Sequence, residues 1–282
     1  MYSKRGRRCN QKACNTTSLK QLYTQNFEAI MVEVATRLKM GFIIVGCMYT
    51  CVYIYGLYYD QFMSCLDPQA RWVQLAMVDV YINLLVIGAW IFYKEDFSLV
   101  KKPIAAFVIF ITGSIAICAY VVRQFSKLSP EDSSKDPLYF VLARRQKAND
   151  TKHRSYSPAT LRAFFGALIG FMLGYYIYTY IVDGSPFRKE VLTMCMVGTI
   201  ADLYVIKGVI SVWVAYKESS WISAFMWMLI LACFGSIGTC AYLVIQLSYI
   251  SPHQHVSSVL FMNNNSDMPE SDPLLTRGKK LM

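Results

Sequence analysis

The sequence predicts an all-α integral membrane protein of six transmembrane helices, arranged as two inverted three-helix repeats. Three observations predict it: apolar stretches of spanning length, a polar remainder too thin to fold alone, and self-similarity between the two halves of the chain. Of 282 residues, 55% are hydrophobic and only 16% are charged, outside the range of ordinary soluble domains. The polar stretches 1–39, 123–162 and 248–282 are too short or too poor in apolar residues to bury a core of their own. A large water-soluble catalytic domain is thereby excluded.

A basic N-terminal tail, residues 1–39, comes first. It carries Lys4, Arg5, Arg7, Arg8, Lys12 and Lys20 with no acid before Glu28, a composition shared by cytosolic tails and organellar transit peptides. The first span, Met40 to Tyr59, is too long for a cleaved signal and is expected to anchor. Trp72 to Tyr93 and Pro103 to Val122 complete a first repeat, residues 40–130. A basic polar linker, 131–161, leads to the second repeat, 162–252, with spans Ala163 to Val182, Val191 to Tyr216 and Trp221 to Leu247. Each stretch meets the requirement of about 20 apolar residues for a crossing, and none shows the alternation of barrel strands. A polar tail, 253–282, ends the chain; its Glu270, Asp272, Leu274 and Leu275 read equally as an acidic dileucine signal or as a decayed copy of Asp136-Pro137-Leu138. Sequons begin at Asn15, Asn149 and Asn264.

The repeat rests on direct comparison. Asp79–Glu95 aligns with Asp202–Glu218 at eight identities in seventeen, and Gly113–Pro130 aligns with Gly235–Pro252 at eleven in eighteen. About two matches in all are expected by chance. Arg37 with Arg162 and Gly41 with Gly166 extend the match weakly into the first and fourth spans. Three spans per unit, an odd number, place the copies in opposite orientations, and transporters built that way hold their sites near the midplane.

Segments 183–193 (DGSPFRKEVLT), 212–223 (VWVAYKESSWIS), 234–247 (FGSIGTCAYLVIQL) and 129–142 (SPEDSSKDPLYFVL) closely resemble a plant family of uncharacterised multi-pass membrane proteins, domain of unknown function 1475. The resemblance covers roughly residues 37–252. It implies a plant multi-pass membrane protein and brings no activity with it. The first unit departs from the pattern, with Tyr59, Asp60, Gln61, Phe62 and Met63 in place of the DGxPFRKE element. The second has Ile206 where the first has Asn83.

Charges inside spans are costly and commonly purposeful, so Asp79, Asn83, Asp202 and Lys207 are the candidate substrate- or ion-binding residues. Lys207 stands about 140° around its helix from Asp202, so its expected partner is Asp79, with Asn83 one turn on from that acid. The same cluster reads equally as a structural polar lock between halves. Tyr93 and Glu95, with their copies Tyr216 and Glu218, sit at span ends with Gln124 and Gln246. They read as interfacial, peripheral residues. Gly113-Ser114 and Gly235-Ser236 read as close-packing positions, and no core helix is expected to be broken by Gly or Pro.

Nine Cys without a CxxC pair and three His give no cofactor, no metal site and no disulfide framework. The net charge of +10 lies beside apolar spans, which points to topology signals and anionic lipid in the bilayer, and not to nucleic acid. The function indicated is a small-solute, proton or ion transporter with a polar site between the repeats. A structural or assembly-factor membrane protein is the alternative, and a lipid-acting enzyme ranks third for want of a nucleophile–base motif. The membrane expected is endomembrane or vacuolar, or else an organellar envelope. With six spans both termini share a face, but charge only weakly identifies it: the whole-chain count of Lys and Arg is 16 on the terminal side against 11, and near the spans it is 8 against 11.

Overall fold

The computed structural model describes residues 5–59, 63–65, 67–95, 98, 101–129, 137–142 and 157–249, with side chains from Asn26 onward. All regular structure among the described residues is helical: α1 (Arg5–Tyr59), α2 (Arg71–Lys94), α3 (Lys101–Thr112), α4 (Ser114–Ser126), α5 (Pro137–Leu142), α6 (Pro158–Asp183), α7 (Met194–Lys217), α8 (Trp221–Phe234) and α9 (Ser236–Ser248). Among the described residues four helices are long and apolar enough to cross a membrane, α1 from Asn26, α2, α6 and α7, and the bent pair α3–α4 brings the number to five if it counts as one span.

The expectation of six spans gives way to four or five, because the third and sixth apolar stretches break. At Gly113 (φ 54°, ψ −126°) and Gly235 (φ 57°, ψ −131°) the backbone enters a region open to glycine and strained for other residues. The turn between α3 and α4 is 119°. Arms of 12 to 14 residues rise roughly 18–21 Å, short of the roughly 30 Å core. The far ends of both pairs return to their starting level. Gln124 Nε2 at the end of α4 donates to Glu95 at 2.6 Å, and Gln246 Nε2 at the end of α9 donates to Glu218 at 3.3 Å. Each acid is the C-cap of the helix that precedes its hairpin. Both pairs are therefore helical hairpins turned at a glycine, contrary to the expectation of unbroken core helices.

This changes the handedness of the arrangement. Trp72, Val73 and Leu75 cluster with Cys195 and Met196, whereas Ile87, Trp90 and Ile91 cluster with Ile210 and Val214. A disulfide joins Cys65, just before α2, to Cys195 in the first turn of α7. Thus α2 and α7 run in the same direction, and the expected inverted relation does not hold. The physical reason is parity: two crossings plus a hairpin return the chain to its starting face, so the second half enters as the first did.

Two faces result. The hairpin face carries residues 35–42 of α1, the start of α6 and the ends of α2, α4, α7 and α9; there Phe42 packs near Trp90 and Phe125. The opposite, disulfide face carries Cys65–Cys195 and an ion pair between Arg71 and Asp183 at 2.5 Å. That disulfide lies 130 residues apart in sequence and no spacing rule pointed to it. The C-terminal tail motif and the sequons at Asn149 and Asn264 lie outside the described residues, as does the side chain of Asn15.

Candidate functional site

A helix that begins inside a membrane has free N–H groups and no water to satisfy them, each costing several kcal/mol if left alone. Glycine at the N-cap has no side chain with which to help, so the acceptor must come from another helix. In both hairpins it is an aspartate of the other half. Ser114 N at the start of α4 donates to Asp202 Oδ1 at 2.9 Å, and Ser236 N at the start of α9 donates to Asp79 Oδ1 at 2.5 Å. The carboxylates fill the space a β-carbon would need: one added at Gly113 falls 2.6 Å from Asp202 Oδ2, and one at Gly235 falls closer still to Asp79 Oδ2. A negative charge there also complements the helix dipole.

Around the second break the other candidates converge. Thr239 Oγ1 donates to Asn83 Oδ1 at 2.7 Å, while Asn83 Nδ2 donates to the Asp79 carbonyl at 2.8 Å. Asn83 is fully buried. Lys207 is buried too, but its Nζ donates to the Ala232 carbonyl near the end of α8 at 3.2 Å and lies 5.0 Å from the Tyr204 ring centroid. Lys207 and Asp79 therefore flank one break from its two sides, the cation at a helix C-terminus and the acid at an N-terminus, and they do not form the direct ion pair expected.

Around the first break the surroundings differ. Asp202 lines, with Tyr49 of α1, a cavity of about 590 Å³. That cavity runs from Gly113 and Asp202 at depth to Leu57, Cys65 and Met194 at the disulfide face, with Tyr49, Tyr53, Tyr81 and Phe110 among its walls. Tyr81 and Phe110 stack at 4.6 Å, and the Tyr53 hydroxyl reaches the Ile111 carbonyl at 3.4 Å. The sequence marks Ser114 and Ser236 only as packing positions and does not single out Tyr49 or Thr239; their signal is the partner residue across the fold, which one sequence does not display.

Glu95 and Glu218 are more than peripheral. Glu95 accepts from Tyr120 (3.3 Å) and Gln124 and lies 3.9 Å from Lys127 Nζ; Glu218 accepts from Tyr242 (3.0 Å), Gln246 and Ser223 (2.6 Å). These contacts close each hairpin at its mouth. Tyr93 and Tyr216 lie half-buried beside them at the helix ends. Lys94 and Lys217 each sit 5.5 Å from a Trp ring, Trp90 and Trp213, and Lys94 also donates to the Val141 carbonyl of α5.

Residues 28–267 match the family described as "Protein of unknown function (DUF1475)". No curated protein and no solved structure matches the chain.

Proposed function

We propose, for a chain that belongs to the DUF1475 family, that it is a small-solute transporter of four spans and two re-entrant hairpins whose site is the cavity at Asp202. The observation that carries this reading is that cavity, about 590 Å³, ending on an intramembrane carboxylate. Ionisable groups in membranes favour positions facing a cavity or pathway. Asp202 has two duties that compete: it holds the tip of the first hairpin through Ser114 N–H, and it faces the space a solute would fill. A solute or proton that takes the carboxylate weakens its hold on the tip, so occupancy and hairpin position are linked.

The sequence repeat and the paired acid-to-break contacts together support duplication of a unit made of two spans and a hairpin, the copies running in the same direction. Orientation follows from that topology. Near the hairpin face lie Arg37, Lys39, Lys94, Lys101, Lys102, Arg123, Lys127, Arg162 and Lys217; near the disulfide face lie only Arg71, Arg188 and Lys189 among the described residues. The positive-inside bias makes the hairpin face cytosolic. A disulfide on the other face fits an oxidising lumen or exterior, hence an endomembrane or plasma-membrane setting.

The test is access. Val52 of α1 lines the cavity. A Val52→Cys variant, with Cys65–Cys195 retained and the other cysteines replaced, is treated with a membrane-impermeant thiol reagent in sealed vesicles that enclose the termini. Modification is expected from outside, and Gly198→Leu, which fills the cavity, is expected to suppress it. An introduced thiol that reacts from neither face counts against transport. The scaffold reading would then stand, as the closed second hairpin already favours it.

A further inference from the structure

We infer that the cavity at Asp202 takes a small organic cation, a quaternary or protonated amine carrying an apolar body. The inference rests on the site proposed above and names its ligand class. Three features of the wall carry it. Among the described residues, Asp202 is the sole charged side chain lining the cavity, and no Lys, Arg or His faces it. The basic residue buried nearby on the same helix, Lys207, is engaged with the Ala232 carbonyl at the other hairpin. A ligand that enters therefore meets one negative charge and no positive side chain of that wall.

Second, the wall beside that charge is aromatic. Tyr49 and Tyr53 lie 6.4 Å apart between centroids on α1, and Tyr81 of α2 stacks on Phe110 of α3 at 4.6 Å. Ring faces are negative and attract a cation, most of all one without a tight hydration shell. An anion would meet four such rings and a carboxylate. Third, the remaining wall is mostly apolar, with Val52, Leu57, Val80 and Leu84 in it, and the volume falls within the usual range for small-molecule pockets. An apolar body on the cation is thereby solvated as well as its head.

Glycine supplies the control. A β-carbon at Gly198, in the wall, meets no atom within 4 Å. A larger side chain there fills the cavity from an ordinary helical position, without removing a hydrogen bond.

The full chain in lipid nanodiscs is titrated with benzyltrimethylammonium and with its uncharged carbon isostere, neopentylbenzene. The cation is expected to bind about tenfold or more tightly than the isostere, as a cation–π contact with a carboxylate predicts. Asp202→Asn and Tyr81→Leu are each expected to reduce that preference, and Gly198→Leu to abolish binding of both probes. Should Asp202→Asn fail to fold, Tyr81→Leu and Gly198→Leu still decide. Equal affinity for the two probes, binding that survives Gly198→Leu, or no binding of the cation overturns the ligand class. Flux assays separate the two readings: cation binding without flux defeats transport and keeps the site, whereas Asp202-dependent flux of a neutral solute alone keeps transport and defeats the cation.

Discussion

The turns at Gly113 and Gly235 have nearly the same dihedrals, and each is held by an aspartate from the opposite half. What surrounds them differs. The second break is enclosed by Asn83, Thr239 and Lys207, and its arms approach so closely that a β-carbon on Gly238 would fall 3.0 Å from the Ile230 carbonyl oxygen. The first has Leu84 and Ala116 in the places of Lys207 and Gly238, tyrosines in place of the amide and amine, and a cavity beside its acid. Shared features mark what any re-entrant tip needs in lipid. The difference marks where one tip is left free to do something else.

The sharpest way to break this comparison is to remove the glycines. Gly235→Ala and Gly113→Ala each force a β-carbon into a carboxylate at positive φ, and both are expected to abolish most folded protein, read as the monodisperse fraction in size-exclusion chromatography. Gly235→Ala should be the worse, since its added β-carbon falls closer to the carboxylate it meets. Normal yield of either variant would show that the tips do not turn there.

Next in size are the acids. Asp79→Ala and Asp202→Ala leave N–H groups unsatisfied in an apolar medium and should each cost about 2–5 kcal/mol. Asparagine keeps an acceptor oxygen, so Asp79→Asn and Asp202→Asn should cost about 1 kcal/mol or less, seen as thermal unfolding close to the parent. If the comparison holds, Asp202→Asn loses solute response while Asp79→Asn retains it. Equal loss in both would make the two tips one site.

Part of this was legible in sequence. The four long apolar helices follow from hydropathy, and identity alone aligns Asp79 with Asp202. The hairpins were not legible as such, because an apolar run such as 103–122 has spanning length whether it runs straight or turns at its glycine. The Gly-Ser pairs were visible and were read as packing positions; only the acid across the fold distinguishes a capped break from a close contact. With each third stretch counted as a full crossing, three spans per unit give the inverted relation. The charge bias stayed ambiguous for the same reason: Lys101, Lys102, Arg123 and Lys127 were divided between faces that the hairpin unites. Cys65 and Cys195 meet because α2 and α7 start at the same level, a tertiary fact with no local signature.

The smallest expected effects come from exchanging the residues that set how closely each hairpin's arms approach. Ala116→Gly removes one methyl from α4 and adds backbone freedom, at a cost of about 0.5–1 kcal/mol. Gly238→Ala should cost more, about 1–3 kcal/mol, even though alanine is the better helix former, because the atom it meets is backbone of α8 and not a side chain that can move aside. Propensity and packing thus predict opposite signs at Gly238, and a thermal melt of each variant separates them. A stabilised Gly238→Ala would mean that the second hairpin has slack between its arms, and the contrast between a closed tip and an open one would then have to rest on the cavity alone.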